Sequence, residues 1–529
     1  MYRSVLSALA VTPASMLVGL SLGFTGAGLD VMRNTVKDGS RKVSLPLDSN
    51  LYVFTDQNIS AIFSGLFCLG AIIGSFATYP IADRYGRKAA LFITAPLFAA
   101  GYVTIALGYP PWLLVLARVF TGIGTGAASV AVPTYIGEIS PTKIRGILGT
   151  FHQLSIAFGA AFAYLFAAVV RTDGDGFYVD LPSQTTGSSV FVHWRTIAWL
   201  CLIWCGLMAI SSLLVVQSPR WLAGQGRLEE AVSILTWLRG VQPGVETPEL
   251  ASELENLKKL VPVVAAHTSA AASSAPVAQR SRVSMADVNA NKRQLIVGLG
   301  LHMGQQLAAI HAFNFDLSTM LQAVDLDARK TVALVAMIIK FTGNVVLAAF
   351  IDKLGRRLPM LVGSFGMGAS CLLMGIGYHL YFEKGQVEET KWIFTAGPML
   401  YCLFYSFGVG AIPWLIMAEL YTDKIRAFAS SFASATNWLG CFVITFTFDD
   451  LVDGINYQGV MWLYAAFGFG LCLFTFFMLP ETKGKSFEEI KASFDGRAAP
   501  SIPKVASLAS MDAALSTLRS APAEGSARV

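Results

Sequence analysis

Charged side chains are scarce in this chain. Asp, Glu, Lys and Arg make up 14% of its 529 residues, against roughly 25% in an average soluble domain. Hydrophobic residues make up 54%, and the mean hydropathy is +0.56. This composition excludes a cytosolic enzyme and predicts a membrane protein. The formal net charge of +5 is small, so no nucleic-acid partner is expected.

Cysteine is also rare, and the sequence lacks the usual catalytic signatures. All seven cysteines lie inside apolar stretches, which indicates packing residues rather than a disulfide framework or a zinc cluster. A nucleophile paired with a base, a cluster of metal ligands and a phosphate-binding loop are likewise missing from the sequence. We therefore expect neither an enzyme nor a bound cofactor or metal. The cysteines are Cys68, Cys201, Cys205, Cys371, Cys402, Cys441 and Cys472.

Long apolar segments recur along the chain. Each is about 18 residues or longer, the length that an α-helix needs to cross a bilayer. Porin-like strands are excluded because they would alternate polar and apolar residues. The first segment exceeds the apolar core of about 7–15 residues in a secretory signal, so it is interpreted as a retained helix. The sequence predicts an all-α membrane protein with twelve spans, six in each half. The predicted spans are 5–28, 57–79, 89–108, 111–133, 147–170, 195–216, 294–316, 329–351, 358–380, 393–418, 430–450 and 458–480.

The composition divides the chain into four parts. Helical periodicity opens the segment between the halves, which then becomes an Ala/Ser/Val-rich stretch, 262–282, typical of disorder. We expect a cytoplasmic linker with a helical beginning and a disordered insert. The predicted parts are an N-terminal half at 1–216, the linker at 217–293, a C-terminal half at 294–480 and a cytoplasmic tail at 481–529.

Basic residues of the short loops predict the orientation. They cluster in the loops at 84–88, 143–145, 353–357 and 424–426, which the positive-inside rule makes cytoplasmic. Both termini and the linker then share that side. Basic residues in the loop after span 1 are a local exception to the rule. The expected setting is the lipid bilayer, with the plasma membrane favoured over an organelle and a monomeric transport unit.

Two motifs occur twice, at equivalent positions of the two halves. An Asp-Arg-Tyr-Gly-Arg-Lys loop at 83–88 joins spans 2 and 3, and an Asp-Lys-Leu-Gly-Arg-Arg loop at 352–357 joins spans 8 and 9. After spans 4 and 10, a glutamate precedes an arginine by seven residues. Two six-helix halves with matching charge clusters describe a transporter whose halves rock about a midplane site.

The charge clusters predict a cytoplasmic latch. An acid and several guanidinium groups at neighbouring helix ends can form ion pairs across the two halves when the inner side closes, and separate when it opens. Alternatively, the clusters only set the topology. That role needs basic residues but no acid at a fixed spacing.

At these motifs the chain resembles the sugar porter family of the major facilitator superfamily. Further matches cover nearly the whole chain: Pro-Thr-Tyr-Ile-Gly-Glu at 133–138, Ser-Pro-Arg-Trp at 218–221, Gln-Gln-Leu at 305–307, Pro-Trp at 413–414 and Pro-Glu-Thr-Lys-Gly at 480–484. The resemblance implies a carrier for a monosaccharide or related polyol that works by alternating access. With Arg118 of span 4 included from this resemblance, the predicted latch consists of Asp83, Arg84, Arg87, Arg118, Glu138, Arg145, Asp352, Arg356, Arg357, Glu419 and Arg426.

The resemblance also implies a substrate site built from amides and an indole. Such groups can replace the water around sugar hydroxyls while apolar walls cover the ring faces. An isolated amide in a membrane helix can instead join two helices, but five residues at family positions favour a pocket. The five are Gln153, Gln305, Gln306, Trp414 and Asn437. His311 and Lys340 stand where the family pattern has asparagines and complete the predicted site.

The chain departs from the family pattern at further positions. Ser406 replaces a glutamate and Cys441 a second asparagine, so part of the hexose pattern is missing. Val409 and Ala411 replace prolines, which puts the hinge of span 10 in doubt. Gln217 replaces an acid that would be one partner of the latch.

Lys340 falls near the middle of span 8, where an ammonium group is costly unless it is paired, neutral or facing water. One hypothesis is a structural pair with Asp316 or Asp30, or simple exposure to the aqueous cavity. The other is a pocket retuned for a ligand with negative charge or strong acceptors. For His311, likewise, replacement of an amide and proton relay are both open.

The first span bears on energy coupling. Proton-driven members of the family resemble one another in an aspartate where this chain has Thr25. Proton coupling needs a titratable group whose pKa changes between the two faces, so facilitated diffusion is favoured unless Asp30 or His311 takes over. A proton- or anion-coupled carrier of a charged small molecule is the alternative. A transport-inactive sugar sensor is disfavoured by the short, low-complexity tail.

Overall fold

The structure is a computed structural model of the whole chain. It describes residues 2–34, 57–108, 111–173, 176–180, 189–191, 195–241, 247–258, 260, 283–326, 328–422, 424–485 and 487–495. The predicted disordered insert at 262–282 and most of the predicted tail lie outside the described residues. So do the side chains of residues 27–61, which include Asp30.

The N-terminal half consists of helices at the six predicted places. Span 1 is divided at Val11, close to Pro13, which has no N–H to continue the ladder; the Thr12 hydroxyl instead donates to the Leu9 carbonyl at 2.7 Å. The bounds are Tyr2–Ala10 and Thr12–Asn34 for span 1, Gln57–Arg84 for span 2, Arg87–Phe92 and Thr94–Leu107 for span 3, Pro111–Ile139 for span 4, Arg145–Val169 for span 5 and Arg195–Leu214 for span 6.

A small antiparallel sheet connects spans 5 and 6. Its three strands are β1 (Val170–Asp173), β2 (Gly176–Asp180) and β3 (Ser189–Phe191), in the order β1-β2-β3. Val170 pairs with Val179, and Tyr178 pairs with Phe191. The sequence did not predict this sheet, because the segment lacks a long alternating pattern. We call this end of the molecule the sheet end, and the opposite end, with the loops between spans 2 and 3 and between spans 8 and 9, the latch end.

The C-terminal half has two interrupted spans. Span 7 breaks between Leu307 and Ile310, and span 10 contains a π-helical turn, Tyr405–Val409. Spans 11 and 12 occupy Arg426–Met478 as two helices that meet at a kink at Asn456, where φ is 58° and ψ is 170°. The bounds are Lys292–Leu307 and Ile310–Phe315 for span 7, Arg329–Leu354 for span 8, Arg357–Lys384 for span 9, Val387–Phe404 and Ile412–Leu420 for span 10, and Arg426–Met478 for spans 11 and 12.

Short helices surround the spans. They are Pro219–Gly224, Leu228–Arg239, Pro248–Lys258 and Met285–Ala290 between the halves, Leu317–Gln322 after span 7, Phe487–Asp495 after span 12, and a 3-10 turn, Thr142–Ile144, before span 5.

The predicted membrane fold with twelve helical spans is confirmed. Among the described residues, ten helices are long and apolar enough to cross a membrane. One of them, Arg426–Met478, contributes two spans because it bends at Asn456. Span 7 is not among these ten helices because its break leaves a helix of only 16 residues, which is shorter than a full membrane span. The chain is therefore a multi-pass membrane protein.

Each half has its own core, and glycines set the close approach of its helices. A Cβ at Gly122 or Gly126 of span 4 would overlap the backbone of span 2 at Phe67 or Ala71. Small residues at such crossings let membrane helices pack backbone to backbone. One buried cluster belongs mainly to spans 1–6, a second mainly to spans 7–12, and a third, around Trp221, to the helices between the halves.

Candidate functional site

The break in span 10 creates the first polar feature of the molecular centre. Pro413 has no N–H, so the carbonyl of Val409, four residues earlier, cannot receive its usual helical hydrogen bond. Gln305 of span 7 supplies the donor: its Nε2 lies 2.6 Å from the Val409 carbonyl and 3.2 Å from that of Gly410. Span 10 is thus interrupted although Val409 and Ala411 replace the prolines of the family pattern.

An amide network joins span 7 to span 11. Asn437 Nδ2 donates to Gln305 Oε1 at 2.7 Å and to the His302 carbonyl at 3.2 Å. Its Oδ1 accepts from Gln306 Nε2 at 2.9 Å. Three amides of the predicted substrate site therefore contact one another directly. Gln306 Oε1 is buried and has no hydrogen-bond partner in the described part of the chain.

Trp414 lies between two histidines that the sequence analysis did not single out. Its ring centroid is 5.3 Å from that of His152 in span 5 and 4.9 Å from that of His302 in span 7. Nδ1 of His152 contacts the Ser15 hydroxyl at 2.8 Å, and Nδ1 of His302 contacts the Gly298 carbonyl at 2.9 Å. The Nε2 atom of each imidazole is buried and unpartnered among the described residues.

Gln153 brings the N-terminal half to the same centre. A Cβ on Gly410 would lie 3.2 Å from Gln153 Nε2 and 2.8 Å from the Tyr405 ring. Gln153 of span 5 therefore faces the break of span 10, beside the carbonyls that Gln305 binds. A sequence signal could have identified the two histidines. His152 is adjacent to Gln153, and His302 lies one helical turn before Gln306, so each histidine is expected close to a predicted site residue.

Lys340 and His311 meet through Asn314. The Lys340 ammonium donates to Asn314 Oδ1 at 2.9 Å, and Asn314 Nδ2 is 3.4 Å from His311 Nδ1. Nζ of Lys340 also lies 5.2 Å from the centre of the Tyr405 ring, a cation–π arrangement. The His311 ring stacks near Trp438, with centroids 5.8 Å apart. Asn314 follows His311 by three residues on the same helix face, although the sequence analysis missed it.

The alternative structural pair of Lys340 with Asp316 is not what the structure shows. Among the described residues, Lys340 forms no ion pair, and its hydrogen bond goes to a neutral amide. The side chain of Asp30, the other candidate, lies outside the described residues.

The two halves contact each other at both ends of this centre. Near the sheet end, the Tyr164 hydroxyl of span 5 donates to the Asn314 carbonyl of span 7. Near the latch end, a Cβ on Gly149 of span 5 would overlap Leu415, and one on Gly137 of span 4 would overlap Ala418. All seven predicted substrate-site residues are buried. Contacts between the halves therefore flank these buried residues on both sides.

Each half holds a buried ion pair at the latch end. Arg87 Nη2 lies 2.7 Å from Glu138 Oε1 in the N-terminal half. At the equivalent place of the C-terminal half, Arg356 Nη2 lies 2.8 Å from Glu419 Oε1. Burial disfavours the Arg356 guanidinium, but Glu419 and then Asp352 outweigh it and raise the pKa of Arg356. These ion pairs lie within a half, not across the halves as expected.

Other contacts cross between the halves at the latch end. The Ile147 N–H, in the first turn of span 5, donates to Asp352 Oδ2 of span 8 at 3.1 Å. Electrostatic attraction also connects Glu138 with Arg426 and Arg145 with Glu419. Each glutamate thus pairs within its own half and faces an arginine of the other half.

The segment after span 12 extends this cluster. Burial raises the pKa of Glu481, but hydrogen bonds from the backbone N–H groups of Arg356, Lys483 and Arg357 leave it lowered. The Thr482 hydroxyl donates to Glu419 Oε2 at 2.6 Å. Neither residue was assigned to the latch, although the Pro-Glu-Thr-Lys-Gly motif that contains them is visible in the sequence.

The remaining predicted latch residues occupy different places. Arg84 lies over the Tyr85 ring, Arg357 donates to the Phe476 carbonyl at 2.5 Å, and the Asp83 carbonyl accepts from Trp221 Nε1 at 2.8 Å. Arg118 does not lie at the latch end. It is 20 residues, about 30 Å of helix, from Glu138.

Arg118 instead contacts the first two spans. Its Nη2 donates to the Thr25 hydroxyl, and its guanidinium carbon is 4.8 Å from the Phe63 ring centre and 4.4 Å from that of Phe67. Nε and Nη1 of Arg118 are buried without a partner among the described residues.

Comparisons with known proteins agree with this architecture. The chain is 28% identical over 516 residues to the "Facilitated trehalose transporter Tret1" of Polypedilum vanderplanki, covering 96% of this chain and 91% of the relative. It is 30% identical over 440 residues to "Sugar transporter ERD6-like 6" of Arabidopsis thaliana, covering 82% of each.

Solved structures show the same fold. The proton:xylose symporter XylE bound to 6-bromo-6-deoxy-D-glucose superposes with a TM-score of 0.69 at 22% identity, covering 92% of this chain and 98% of that one. A partially occluded inward-open form of XylE from E. coli gives a TM-score of 0.66 at 21% identity, over 92% and 100% of the two chains. Residues 7–494 match the family model described as "Sugar (and other) transporter". The chain therefore belongs to the sugar transporter family of the major facilitator fold.

Proposed function

We propose that the chain carries a hexose or a related sugar or polyol by alternating access, through facilitated diffusion. The observation that carries this proposal is the buried group of amides and rings where the two six-helix halves meet. Amides both donate to and accept from hydroxyl groups, and indole and imidazole rings can cover a sugar ring face. The relatives named for trehalose and for sugar transport support this substrate class.

The substrate site draws on both halves. Gln153 comes from span 5, and the remaining members come from spans 7, 8, 10 and 11. Because the amides now bond to one another and to the backbone of span 10, a sugar would exchange these contacts for its own hydroxyls. The proposed substrate-binding residues are Gln153, Gln305, Gln306, His311, Lys340, Trp414 and Asn437.

The latch end is the proposed cytoplasmic gate. Two ion pairs, Arg87–Glu138 and Arg356–Glu419, each lie within one half. Asp352 of span 8 joins the halves because it accepts a hydrogen bond from the N-terminus of span 5. Opening toward the cytoplasm would break the contact of Asp352 and the attractions across the interface, but leave the pairs within each half intact.

The environment of Arg118 supports uncoupled transport. Thr25, at the position where proton-driven members have an aspartate, contributes a hydroxyl and not a carboxylate to Arg118. A hydroxyl of this kind does not titrate near neutral pH, so it cannot carry a proton between the two faces.

The arrangement of the whole chain is also a proposal. The two half-molecule cores and the Trp221 cluster support a division into two halves, a linker and a tail at the predicted bounds. The basic loops at the latch end support a cytoplasmic location for both termini. We further propose a monomeric unit in the lipid bilayer of the plasma membrane.

Uptake into proteoliposomes tests the function. D-glucose, D-fructose, D-xylose, trehalose and myo-inositol would be compared with and without a pH gradient. At least one neutral substrate should equilibrate without accumulating, and an uncoupler should not change its rate. Trp414→Ala should abolish most of this uptake, whereas Trp199→Ala, an exposed tryptophan of span 6, should leave it unchanged. Concentrative uptake that an uncoupler abolishes would contradict facilitated diffusion.

A further inference from the structure

We propose that the preferred substrate of this carrier bears a carboxylate, as a sugar acid does, and that Lys340 is its cationic contact. The proposal rests on the sugar-carrier function above and names the substrate class of the same site. Its basis is a buried lysine, held by a neutral amide and an aromatic ring, next to the predicted sugar contacts.

Lys340 lacks, among the described residues, the ion pair that two other buried cations, Arg87 and Arg356, have. It is 2% exposed and forms no ion pair with any described residue. Arg87 and Arg356, buried to a similar degree, each lie within 2.8 Å of a glutamate oxygen. A buried charge without a counter-charge is costly. A carboxylate that enters and leaves with the substrate would supply a counter-charge that the described residues do not provide.

The surroundings of Lys340 fit a contact between its ammonium group and the carboxylate of a sugar acid. Asn314 and Tyr405 fix the ammonium, at 2.9 Å from the amide oxygen and 5.2 Å from the ring centre. Through Asn314 the ammonium connects to His311, and Tyr405 lies beside Gly410, which Gln153 also approaches. A single residue therefore separates the ammonium from a predicted sugar contact in each direction: Asn314 lies between it and His311, and Tyr405 lies on the side of Gln153.

Unpartnered polar atoms nearby can hold the rest of such a ligand. Trp438 Nε1 is a buried donor without an acceptor, and Asn344 Oδ1 and Gln306 Oε1 are buried acceptors without a donor among the described residues. Asn344 is one helical turn beyond Lys340 and bonds to its carbonyl at 2.7 Å. Buried polar atoms of this kind normally have partners, and the hydroxyls of a sugar acid would provide them.

A purely structural Lys340 makes a different prediction. In that case the lysine only ties span 8 to span 7 through Asn314, and its replacement lowers stability for every substrate alike. A ligand contact instead changes the relative rates of an acid and its neutral sugar. The ratio of two rates on the same protein separates these roles because folding and expression cancel in it.

The test uses full-length protein in proteoliposomes and the pairs D-glucuronate with D-glucose and D-galacturonate with D-galactose. The wild type should exchange the acid at least tenfold faster than its sugar. Lys340→Asn, which restores the amide of the family pattern, should lower this ratio at least tenfold. Lys391→Asn, an exposed lysine in the first helix of span 10, is the matched control and should leave the ratio unchanged.

A binding measurement on the wild type keeps the proposal testable if Lys340→Asn does not fold. D-glucuronate should then raise the melting temperature of the solubilised protein at concentrations at least tenfold lower than D-glucose requires. Exchange of hexoses with no preference for the acids, or an unchanged ratio in Lys340→Asn, would overturn the substrate class but leave the sugar carrier. Exchange of neither sugars nor sugar acids by folded wild-type protein would overturn the proposed function as well.

Discussion

Asp352 is the residue whose removal should most directly open the latch end. Its carboxylate accepts the Ile147 N–H at 3.1 Å, at the N-terminus of the 25-residue helix of span 5. Four N–H groups at a helix N-terminus lack partners within the helix, and the helix dipole favours a negative charge there. Asp352 belongs to one half and Ile147 to the other, so their contact exists only while this end is closed.

The magnitude follows from this geometry. A hydrogen bond to a charged group contributes about 1.5–3 kcal/mol, and a charge at a helix end about 0.3–1 kcal/mol. The Asp352 side chain is 24% exposed, and asparagine keeps an acceptor oxygen, so Asp352→Asn should cost the closed state about 1–2 kcal/mol. The ratio of open to closed molecules should rise about 5- to 30-fold.

Distances between two spin labels can measure this shift. Thr142 of the N-terminal half and Lys353 of the C-terminal half are both exposed at the latch end, and labels at cysteines there report its opening. Asp287→Asn is the matched control because Asp287 pairs with Lys424 on the surface, at 2.7 Å. The long-distance population should grow in Asp352→Asn but not in the control. An unchanged distribution in Asp352→Asn would refute the reasoning.

Two further predictions concern other contacts of the structure. Ala309 has a φ of 78°, a left-handed conformation that costs a non-glycine residue about 1–2 kcal/mol. Ala309→Gly should therefore raise the melting temperature by a few degrees, and Ala309→Val should lower it. A lower melting temperature in Ala309→Gly would show that the backbone at this position is not strained. The thiols of Cys68 in span 2 and Cys441 in span 11 are 3.0 Å apart, so iodine should oxidise them to a disulfide that crosslinks the halves. In this step the two thiols lose two protons and two electrons, and iodine is reduced to iodide. Substrate exchange should then stop until dithiothreitol reduces the disulfide. Cys68→Ser should be insensitive, and inhibition that persists in this variant would exclude the crosslink as its cause.

The number and places of the spans could be predicted because each carries a long apolar signal. The breaks within them could not. Ala308 and Ala309 have the highest helix propensity of any residue type, yet span 7 breaks there. The Tyr401 hydroxyl donates to the Ala308 carbonyl at 2.6 Å, and Gln305 and Gln306 turn toward span 10 and span 11. Tertiary contacts therefore override local propensity at this point.

Most residues of the latch-end cluster could be predicted, but Arg118 lies elsewhere, and the pairing within the cluster could not be predicted. The sequence analysis expected ion pairs across the two halves, but the spacing of Glu138 and Arg145 does not show which residues meet, since the helix of span 4 ends at Ile139 and that of span 5 begins at Arg145. The partner of Glu138 is Arg87, which the loop between spans 2 and 3 brings to a distance of 2.7 Å from the glutamate. Which arginine meets which glutamate depends on how the loops fold back, and a spacing along the chain does not contain that information.

The departures from the family pattern are more informative in space than in sequence. Along the chain, His311, Lys340 and Ser406 lie in three different spans and look like independent substitutions. In the structure, His311 and Lys340 both contact Asn314, and Ser406 follows Tyr405, whose ring lies below the Lys340 ammonium. Two departures that lie 29 residues apart in the sequence, His311 and Lys340, therefore meet at one place of the proposed substrate site, where together they set the charge and hydrogen bonding that a ligand would encounter.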